Sequence, residues 1–331
     1  PGPNSTEMAI HIGYLRAGWP GLITAGACFI APAACLVLLF AWLYVRYGST
    51  PQAVWLLYGV KPVIIAIIIQ ALWRLGRTAL KGVGGCALAA ALMALYLAGL
   101  HELLLLFGGA VVYAVGSRWW RGGRSGRAAL PVVGLLALGG RQAVAAATAA
   151  AGAAVPFSLS ALFFNFLKIG AVLYGSGYVL LAFLRNDFVD RLGWLTDREL
   201  LDAIAIGQIT PGPVFTTATF VGFFTGGWWG AALATLGIFL PAFVFVALIH
   251  PLAELLRRSE WTSRLLDGLN VAAVALMAGV SLELGRSALV DPFTWVLAVA
   301  AFAVLLRFRL NSSWLIVAGA ALGWLAWRLS G

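Results

Sequence analysis

Two short Pro-Gly-Pro motifs are the elements of this sequence best suited to bind an anion. They span residues 1–3 and 211–213. Two prolines around one glycine cannot sit inside a regular helix, because each proline lacks an N–H and clashes with the preceding turn. Pro213 suits the first position of a new helix. The free N–H groups and the dipole of such a helix start attract negative charge.

Polar side chains follow both motifs. Thr216 and Thr217 come one turn after the second motif, and Asn4, Ser5 and Thr6 come directly after the first. Their hydroxyl and amide groups would add hydrogen bonds to the oxygens of a bound anion. Paired breaks at matching places in two repeats are typical of the binding site of a secondary transporter. The alternative is a pair of structural kinks or turns at the membrane surface.

Two lysines interrupt long apolar runs and would offset the charge of a bound anion. Lys61 lies within 56–69 and Lys168 within 163–184. Ionisable residues inside a membrane are costly and often functional; the alternative for both lysines is snorkelling to the membrane surface. Glu7 is the candidate for carrying a coupling proton. The predicted substrate-binding positions are Pro1, Gly2, Pro3, Asn4, Ser5, Thr6, Pro211, Gly212, Pro213, Thr216, Thr217, Lys168, Lys61 and Asn270, the equivalent of Lys61 in the repeat.

No motif indicates a metal site, a cofactor or a catalytic centre. The three cysteines, Cys28, Cys35 and Cys86, lie in apolar stretches and form no Cys-x-x-Cys pair, so neither a disulfide framework nor a zinc site is indicated. The sequence contains no GxxxxGK[ST], GxSxG or HExxH motif, so ATP-driven and hydrolytic functions are disfavoured. We therefore expect a protein that is not an enzyme and that has no cofactor.

The composition shows which elements must position these residues. Of the 331 residues, 62% are hydrophobic and 10% charged, and the mean hydropathy is +0.95. Soluble domains have about 25% charged residues, far more than this chain, so the composition is typical of a membrane protein. We therefore predict an all-α, polytopic transmembrane helix bundle. The net charge of +10 fits basic cytoplasmic loops better than a nucleic-acid partner. Runs of spanning length fall at 19–45, 54–75, 83–99, 101–116, 130–154, 157–184, 228–250, 266–285, 293–306 and 313–328.

The sequence repeats itself with an offset of 209 residues. The Gly-Trp pair at 18–19 recurs at 227–228, and Pro32 recurs as Pro241. The run at 130–154 has no counterpart, and one unpaired linking helix would turn the second copy over in the membrane. We therefore predict two homologous, inverted repeats with helices broken at the paired Pro-Gly-Pro motifs.

This repeat divides the chain into three parts. Residues 1–122 form the first repeat, 123–156 a basic loop and the linking helix, and 157–331 the second repeat. The second copy extends upstream of its Pro-Gly-Pro motif, whereas the first copy begins at its motif. Because copies of a repeat have similar lengths, we expect about fifty residues of the first repeat to precede residue 1.

These features together resemble the chromate ion transporter family, in its long, two-domain form. The runs that carry the likeness are AIGQITPGPVFTTATFVG at 205–222, TLGIFLP at 235–241, LDGLN at 266–270 and PGPNSTE at 1–7. The resemblance implies a multi-pass protein of the bacterial plasma membrane that exports chromate and confers resistance, with oppositely inserted halves. The family's glycine-rich element before the first Pro-Gly-Pro lies outside this chain.

The predicted function is secondary transport of a tetrahedral oxyanion, with chromate first and sulfate as the alternative substrate. The substrate would bind between the two Pro-Gly-Pro elements near the membrane midplane. The expected partners are that anion and the lipid bilayer, and a homo-oligomer is left open. The alternatives from other classes are a membrane-embedded chromate reductase and a structural or receptor-like membrane protein without flux.

Overall fold

The computed structural model of the chain describes residues 3–120, 156–173, 177–208, 215–249, 260–308 and 311–330. Within these ranges the fold is helical and no strand occurs. A 3₁₀ turn (Gly177–Val179) precedes the short helix α6 (Leu180–Leu184), and a π-helix (Arg185–Arg191) follows it. The α-helices are α1 (Pro3–Tyr47), α2 (Pro51–Ala79), α3 (Gly82–Leu97), α4 (Glu102–Trp120), α5 (Leu159–Val172), α6 (Leu180–Leu184), α7 (Asp197–Gly207), α8 (Thr217–Ile249), α9 (Glu260–Ala288), α10 (Pro292–Arg307) and α11 (Ser312–Ser330).

Four of these helices are long and apolar enough to cross a bilayer. The segments are Ser5–Tyr47, Pro51–Ala79, Thr217–Leu248 and Glu260–Ala288, and about 20 apolar residues suffice to span the hydrocarbon core. Shorter apolar helices surround them. The predicted class, an all-α bundle of membrane helices, is confirmed.

The helix lengths recur along the chain, with starting positions 209 or 210 residues apart. α2 and α9 both contain 29 residues, and they begin 209 positions apart. α3 and α10 contain 16 residues each, and α4 and α11 contain 19 each. Elements of the same length and spacing thus follow both kinked helices, α1 and α8.

The two halves of the chain are interlocked. α2 packs against α10 and α11, and α9 packs against α3 and α4. A Cβ placed on Gly59 would collide with the carbonyl oxygen of Gly319, and one placed on Gly268 would meet the backbone of Ala110. These two close approaches join equivalent positions, since both Gly59–Gly268 and Ala110–Gly319 are 209 residues apart. Each half is therefore completed by helices of the other.

The region before α8 differs from its sequence-based interpretation. The run at 157–184 is not one helix, because α5 ends at Val172 and a separate 3₁₀ turn begins at Gly177. The charged segment that follows buries Asp187 and Phe188 completely. The buried Asp187 carboxylate is paired with two basic residues, Lys168 and Arg191. The predicted linking helix at 130–154 lies outside the described residues.

Candidate functional site

α1 and α8 are each broken at a glycine in the left-handed region. In α1 the break falls at Ala17 and Gly18, with φ 59° and ψ −141° at Gly18. In α8 it falls at Gly226 and Gly227, with φ 61° and ψ −150° at Gly227. Glycine reaches a positive φ at little steric cost, whereas other residues are strained there. The sequence therefore prescribes the same break at equivalent positions of both halves.

At each break the chain reverses and packs on itself. A Cβ on Gly13 would collide with the carbonyl oxygen of Gly21, and one on Gly21 with that of Gly13. Gly222 and Gly230 make the same reciprocal approach. Only residues without a Cβ allow two backbones so close together. α1 and α8 are thus helical hairpins, each with a short arm and a long arm.

The short arms, 3–16 in α1 and 217–225 in α8, are too short to cross a bilayer. At 1.5 Å per residue they measure about 20 Å and about 13 Å, against a hydrocarbon core of about 30 Å. Trp19 and Trp228 follow the breaks and are 61% and 64% exposed. Exposed tryptophans favour the headgroup level. If the breaks lie at the membrane surface, as these tryptophans indicate, the start of each short arm lies within the membrane.

Buried threonines lie at the starts of both short arms. Thr6, Thr216 and Thr217 are 0%, 1% and 0% exposed. The Oγ1 of Thr217 has no hydrogen-bond partner among the described residues. A buried hydroxyl left unbonded is unfavourable by about 1–3 kcal/mol, so this position calls for a water or a polar ligand. Gly207 makes room for the hydroxyl, because a Cβ there would collide with the Thr217 Oγ1.

The other predicted positions near the motifs are less enclosed. Ser5 is exposed, and Glu7 and Asn270 are half-buried. Glu7 forms no ion pair with another described residue. Pro3 is the first residue of α1. The remaining predicted positions are residues or side chains outside the described part of the chain, namely Pro1, Gly2, Asn4, Pro211, Gly212 and Pro213.

Lys61 is held by a carboxylate that sequence reasoning missed. Its Nζ lies 3.0 Å from Asp202 Oδ1, and the Tyr44 hydroxyl donates to Asp202 Oδ2 at 2.9 Å. Lys61 and Asp202 are only 7% and 3% exposed. The cluster fastens α7 to α1 and α2, and Asp202 offsets the lysine charge. The available signal was a single acidic residue inside the apolar run 200–206.

Lys168 is also paired with a buried carboxylate. Its Nζ lies 2.6 Å from Asp187 Oδ2, and Arg191 Nη2 lies 3.0 Å from Oδ1 of the same aspartate. Arg191 donates in addition to the amide oxygen of Asn165. Because the partner aspartate stands on the π-helix, this cluster ties the π-helix to α5. Both predicted lysines therefore have less of their charge available to an anion.

Glu102, the first residue of α4, is a buried carboxylate that the sequence interpretation did not single out. It is 0% exposed, and neither carboxylate oxygen has a hydrogen-bond partner among the described residues. The closest basic group recorded for it is His101 Nδ1, at 3.5 Å from Oε2. The sequence feature that could have identified Glu102 is its position as an acidic residue at the start of an apolar run.

A groove between α1 and α8 is unsuited to an anion, although its volume is about 1030 Å³. Its walls are almost wholly apolar, and two of its hydroxyl groups, on Thr219 and Thr235, bond to each other at 2.8 Å. Within the described ranges no group of three or more His, Cys, Asp or Glu residues is placed to hold a metal ion. The three cysteines are exposed and unpaired.

Comparison with known proteins identifies the family. The family model described as Chromate transporter matches residues 1–114 and 160–324. The chromate transport protein of Cupriavidus metallidurans is 32% identical over 97% of this chain and 79% of its own length. The chromate transport protein of Pseudomonas aeruginosa is 31% identical over 98% of this chain and 80% of its own. The probable chromate transport protein of Synechococcus elongatus is 31% identical over 91% and 75%. No solved structure matches the chain significantly. The chain therefore belongs to the chromate transporter family.

Proposed function

We propose that this protein is a secondary transporter that exports chromate across the bacterial plasma membrane and so confers chromate resistance. The chain is an integral membrane transporter rather than an enzyme, and its relatives support chromate as the transported ion. The observation that carries the proposal is the pair of helical hairpins, α1 and α8, whose short arms start at buried threonines.

An inverted repeat would bring the two short arms in from opposite membrane faces. Leu22, next to the break of α1, packs with Ala242 in the far part of α8. Tyr44, near the end of α1, packs on Phe224 beside the break of α8, with ring centroids 6.0 Å apart. Each break thus lies beside the far end of the other hairpin. Two copies related by an axis along the membrane normal would have both breaks at one end, so this packing supports inversion.

The substrate would bind where the starts of the two short arms approach the midplane. Chromate is a tetrahedral dianion, and helix-start N–H groups and threonine hydroxyls are suitable donors for its oxygens. A buried site excludes water, which strengthens each of these hydrogen bonds. Thr217 is the strongest candidate, because its hydroxyl is buried without a described partner. Thr6 and Thr216 complete the described part of the proposed site.

The lysines and the carboxylates have separate tasks in this proposal. Lys61 and Lys168 contribute positive charge to the surroundings of the site. Asp202 offsets part of the charge of Lys61, and Asp187 offsets part of that of Lys168. Glu7 is two positions beyond Ser5 on the short arm of α1 and carries the coupling proton. A proton bound there would compensate part of the dianion's charge during transport.

The test is chromate uptake into everted membrane vesicles that carry the protein, with excess sulfate as competitor. Thr217→Val keeps the shape of the side chain and removes the hydroxyl. A hydrogen bond to a charged group contributes roughly 1.5–3 kcal/mol, so we expect the transport rate at low chromate to fall about tenfold or more. Thr217→Ser retains the hydroxyl and serves as the matched control, with membrane levels of each variant checked by immunoblot.

Each result has a defined meaning. Energy-dependent chromate accumulation by the wild type would support export, and inhibition by sulfate would indicate a shared oxyanion site. Sulfate flux without chromate flux would mean that sulfate is the substrate, and the proposed binding site would still stand. Equal chromate transport by the Val and Ser variants would refute the role of Thr217.

A further inference from the structure

A second cavity, partly polar, opens where α2 ends. It has a volume of about 690 Å³ and lies between the last three turns of α2, the end of α10, the start of α11 and the 3₁₀ turn. Polar side chains make up a large part of its wall. They are Gln70, Arg74, Thr78, Tyr178, Asn311 and Ser312.

The cavity borders the end of α7. Tyr178, on its wall, accepts a hydrogen bond from Gln208 Nε2 at 3.2 Å. Gln208 is 2% exposed and caps the end of α7; the motif at 211–213 follows it after two residues. Gln70 fixes the opposite wall by donating to the carbonyl oxygen of Leu305 at 3.0 Å. The polar end of α7 is therefore hydrogen-bonded to the wall of the cavity at Tyr178.

The charge in this cavity is positive. Arg74 forms no ion pair with any described residue, and no acidic side chain is among the described residues of the wall. By contrast, Arg185 lies within 2.9 Å of three carboxylates. The N-terminus of α11 at Ser312 adds N–H groups and the positive end of a helix dipole. The C-terminal ends of α2 and α10 carry the negative ends of their helix dipoles and weaken this positive field. They weaken it only in part, because a dipole end is a partial charge and the Arg74 guanidinium carries a full charge.

We propose that this cavity is an entry site for a tetrahedral oxyanion, which Arg74 captures before the ion moves past Tyr178 and Gln208. This inference rests on the proposed transport function and adds a binding step to it. The guanidinium group forms paired hydrogen bonds to oxyanions, and the neighbouring hydroxyl and amide groups replace water around the ion. Since the site is open to solvent, its role is to concentrate the anion rather than to hold it tightly.

The first experiment compares Arg74→Gln with Arg77→Gln in chromate transport. Arg77 is exposed one turn further along α2 and is not part of the cavity wall. We expect Arg74→Gln to raise the half-saturating chromate concentration about fivefold at low ionic strength, and less at high salt, with the maximal rate within about twofold. Arg74→Lys should recover most of the loss. A half-saturating concentration equal to that of Arg77→Gln would refute the entry site.

The second experiment tests binding independently of transport. Cys28, Cys35 and Cys86 are replaced by Ala, Thr78→Cys is introduced, and labelling by a membrane-impermeant maleimide is timed in phosphatidylcholine vesicles. Sulfate is the probe, because chromate oxidises thiols. We expect sulfate to slow labelling about fivefold, and Arg74→Gln to abolish this protection. Labelling that ignores sulfate would overturn the entry site even if the wild type transports chromate.

A lipid phosphate would present the same chemistry as a free oxyanion. The labelling is therefore repeated with phosphatidylglycerol added to the vesicles and sulfate omitted. The proposal requires Thr78→Cys to label as fast as in phosphatidylcholine alone. Protection by phosphatidylglycerol would assign the cavity to a lipid headgroup and contradict an entry site. Absence of any chromate or sulfate flux by the wild type, with sulfate protection retained, would refute the transport function but not anion binding.

Discussion

The end of α2 and the end of α9 are equivalent in the repeat but opposite in chemistry. Arg74 on α2 corresponds to Glu283 on α9, 209 positions later. Arg74 lines an open cavity and has no ion pair among the described residues. Glu283 lies 2.9 Å from Arg185 Nη1 and accepts a hydrogen bond from the Tyr96 hydroxyl at 3.1 Å. Both ends use the same helix packing, so the difference comes from a few side chains.

The charged network at the end of α9 joins three elements of the chain. Arg185 on the π-helix lies 2.8 Å from Asp190 and 2.9 Å from Asp197, the first residue of α7, as well as contacting Glu283. If the repeat is inverted as proposed, the two ends face opposite sides of the membrane. The structure then corresponds to a state open towards the end of α2 and fastened at the end of α9, one of the two states that alternating access requires.

The largest expected effect comes from removing the arginine at the fastened end. Arg185→Gln leaves three carboxylates without their shared partner, and its side chain is only 14% exposed. Removing one partner of a buried ion pair costs about 3–5 kcal/mol, and partial exposure of the carboxylates reduces this to about 2–3 kcal/mol here. Thermal unfolding of the purified protein in detergent measures the loss.

Arg74→Gln is the matched control for this prediction. It removes the equivalent charge from the open end, where no described carboxylate depends on it, so we expect its melting temperature to stay within about 1 °C of the wild type. Similar melting temperatures for Arg185→Gln and Arg74→Gln would contradict the distinction between a fastened and an open end.

The membrane fold and the family could be predicted from the sequence, because apolar composition and a long ordered set of motifs carry that information directly. The position of helix breaks was only partly predictable. Breaks at the Pro-Gly-Pro segments stay a prediction, and the reversal at Gly18 and Gly227 was not predicted. A glycine is compatible with a helix, a turn or a close approach, and only the facing pair Gly13–Gly21 shows which applies.

The partners of charged residues could not be predicted, because they come from distant parts of the chain. Lys61 suggested an anion site, yet Asp202 lies beside it from another helix. Arg74 stands near the end of an apolar run, where a basic residue ordinarily marks the membrane surface. The cavity at Arg74 exists only because α10 and α11 pack there. The proposed roles of Thr216, Thr217 and Glu7 stay predictions.

α10, which forms part of the cavity wall at the open end, has a better N-terminal cap than α3, its equivalent in the repeat. Asp291 caps α10, accepting from the Thr294 N–H at 2.9 Å and from the Tyr58 hydroxyl. The equivalent helix α3 begins after Lys81 without a side-chain cap. We expect Asp291→Ala to lower the free energy of unfolding by about 1 kcal/mol at pH 7, and Lys81→Ala, whose ion pair is exposed, to change it by less than about 0.5 kcal/mol.

The effect of Asp291 should depend on pH. Burial acts to raise the pKa of its carboxyl group, but hydrogen bonds from Tyr58 and Thr294 outweigh burial and hold the pKa below its ordinary value of 3.8. Folding therefore favours the ionised form, and this share of the stability is present above pH 3.8 and lost as the pH falls through the folded value. Melting curves from pH 7 to pH 3 should show the wild type and Asp291→Ala converging at the acidic end. A constant gap would show that ionisation of Asp291 contributes nothing.

Among the predicted losses of stability at Arg185, Asp291 and Tyr96, the smallest is that of Tyr96→Phe at the fastened end. It removes the hydroxyl that donates to Glu283 while leaving the ring that packs against Gly279. Glu283 is 23% exposed and keeps Arg185, so water replaces the lost bond and we expect a loss below about 1 kcal/mol. The double variant with Arg185→Gln sharpens the comparison, because two groups that hold one carboxylate should not act additively. A coupling of more than about 0.5 kcal/mol in melting experiments would show one network. Strict additivity would mean that Tyr96 and Arg185 act separately, and the fastened end would then consist of the arginine cluster alone.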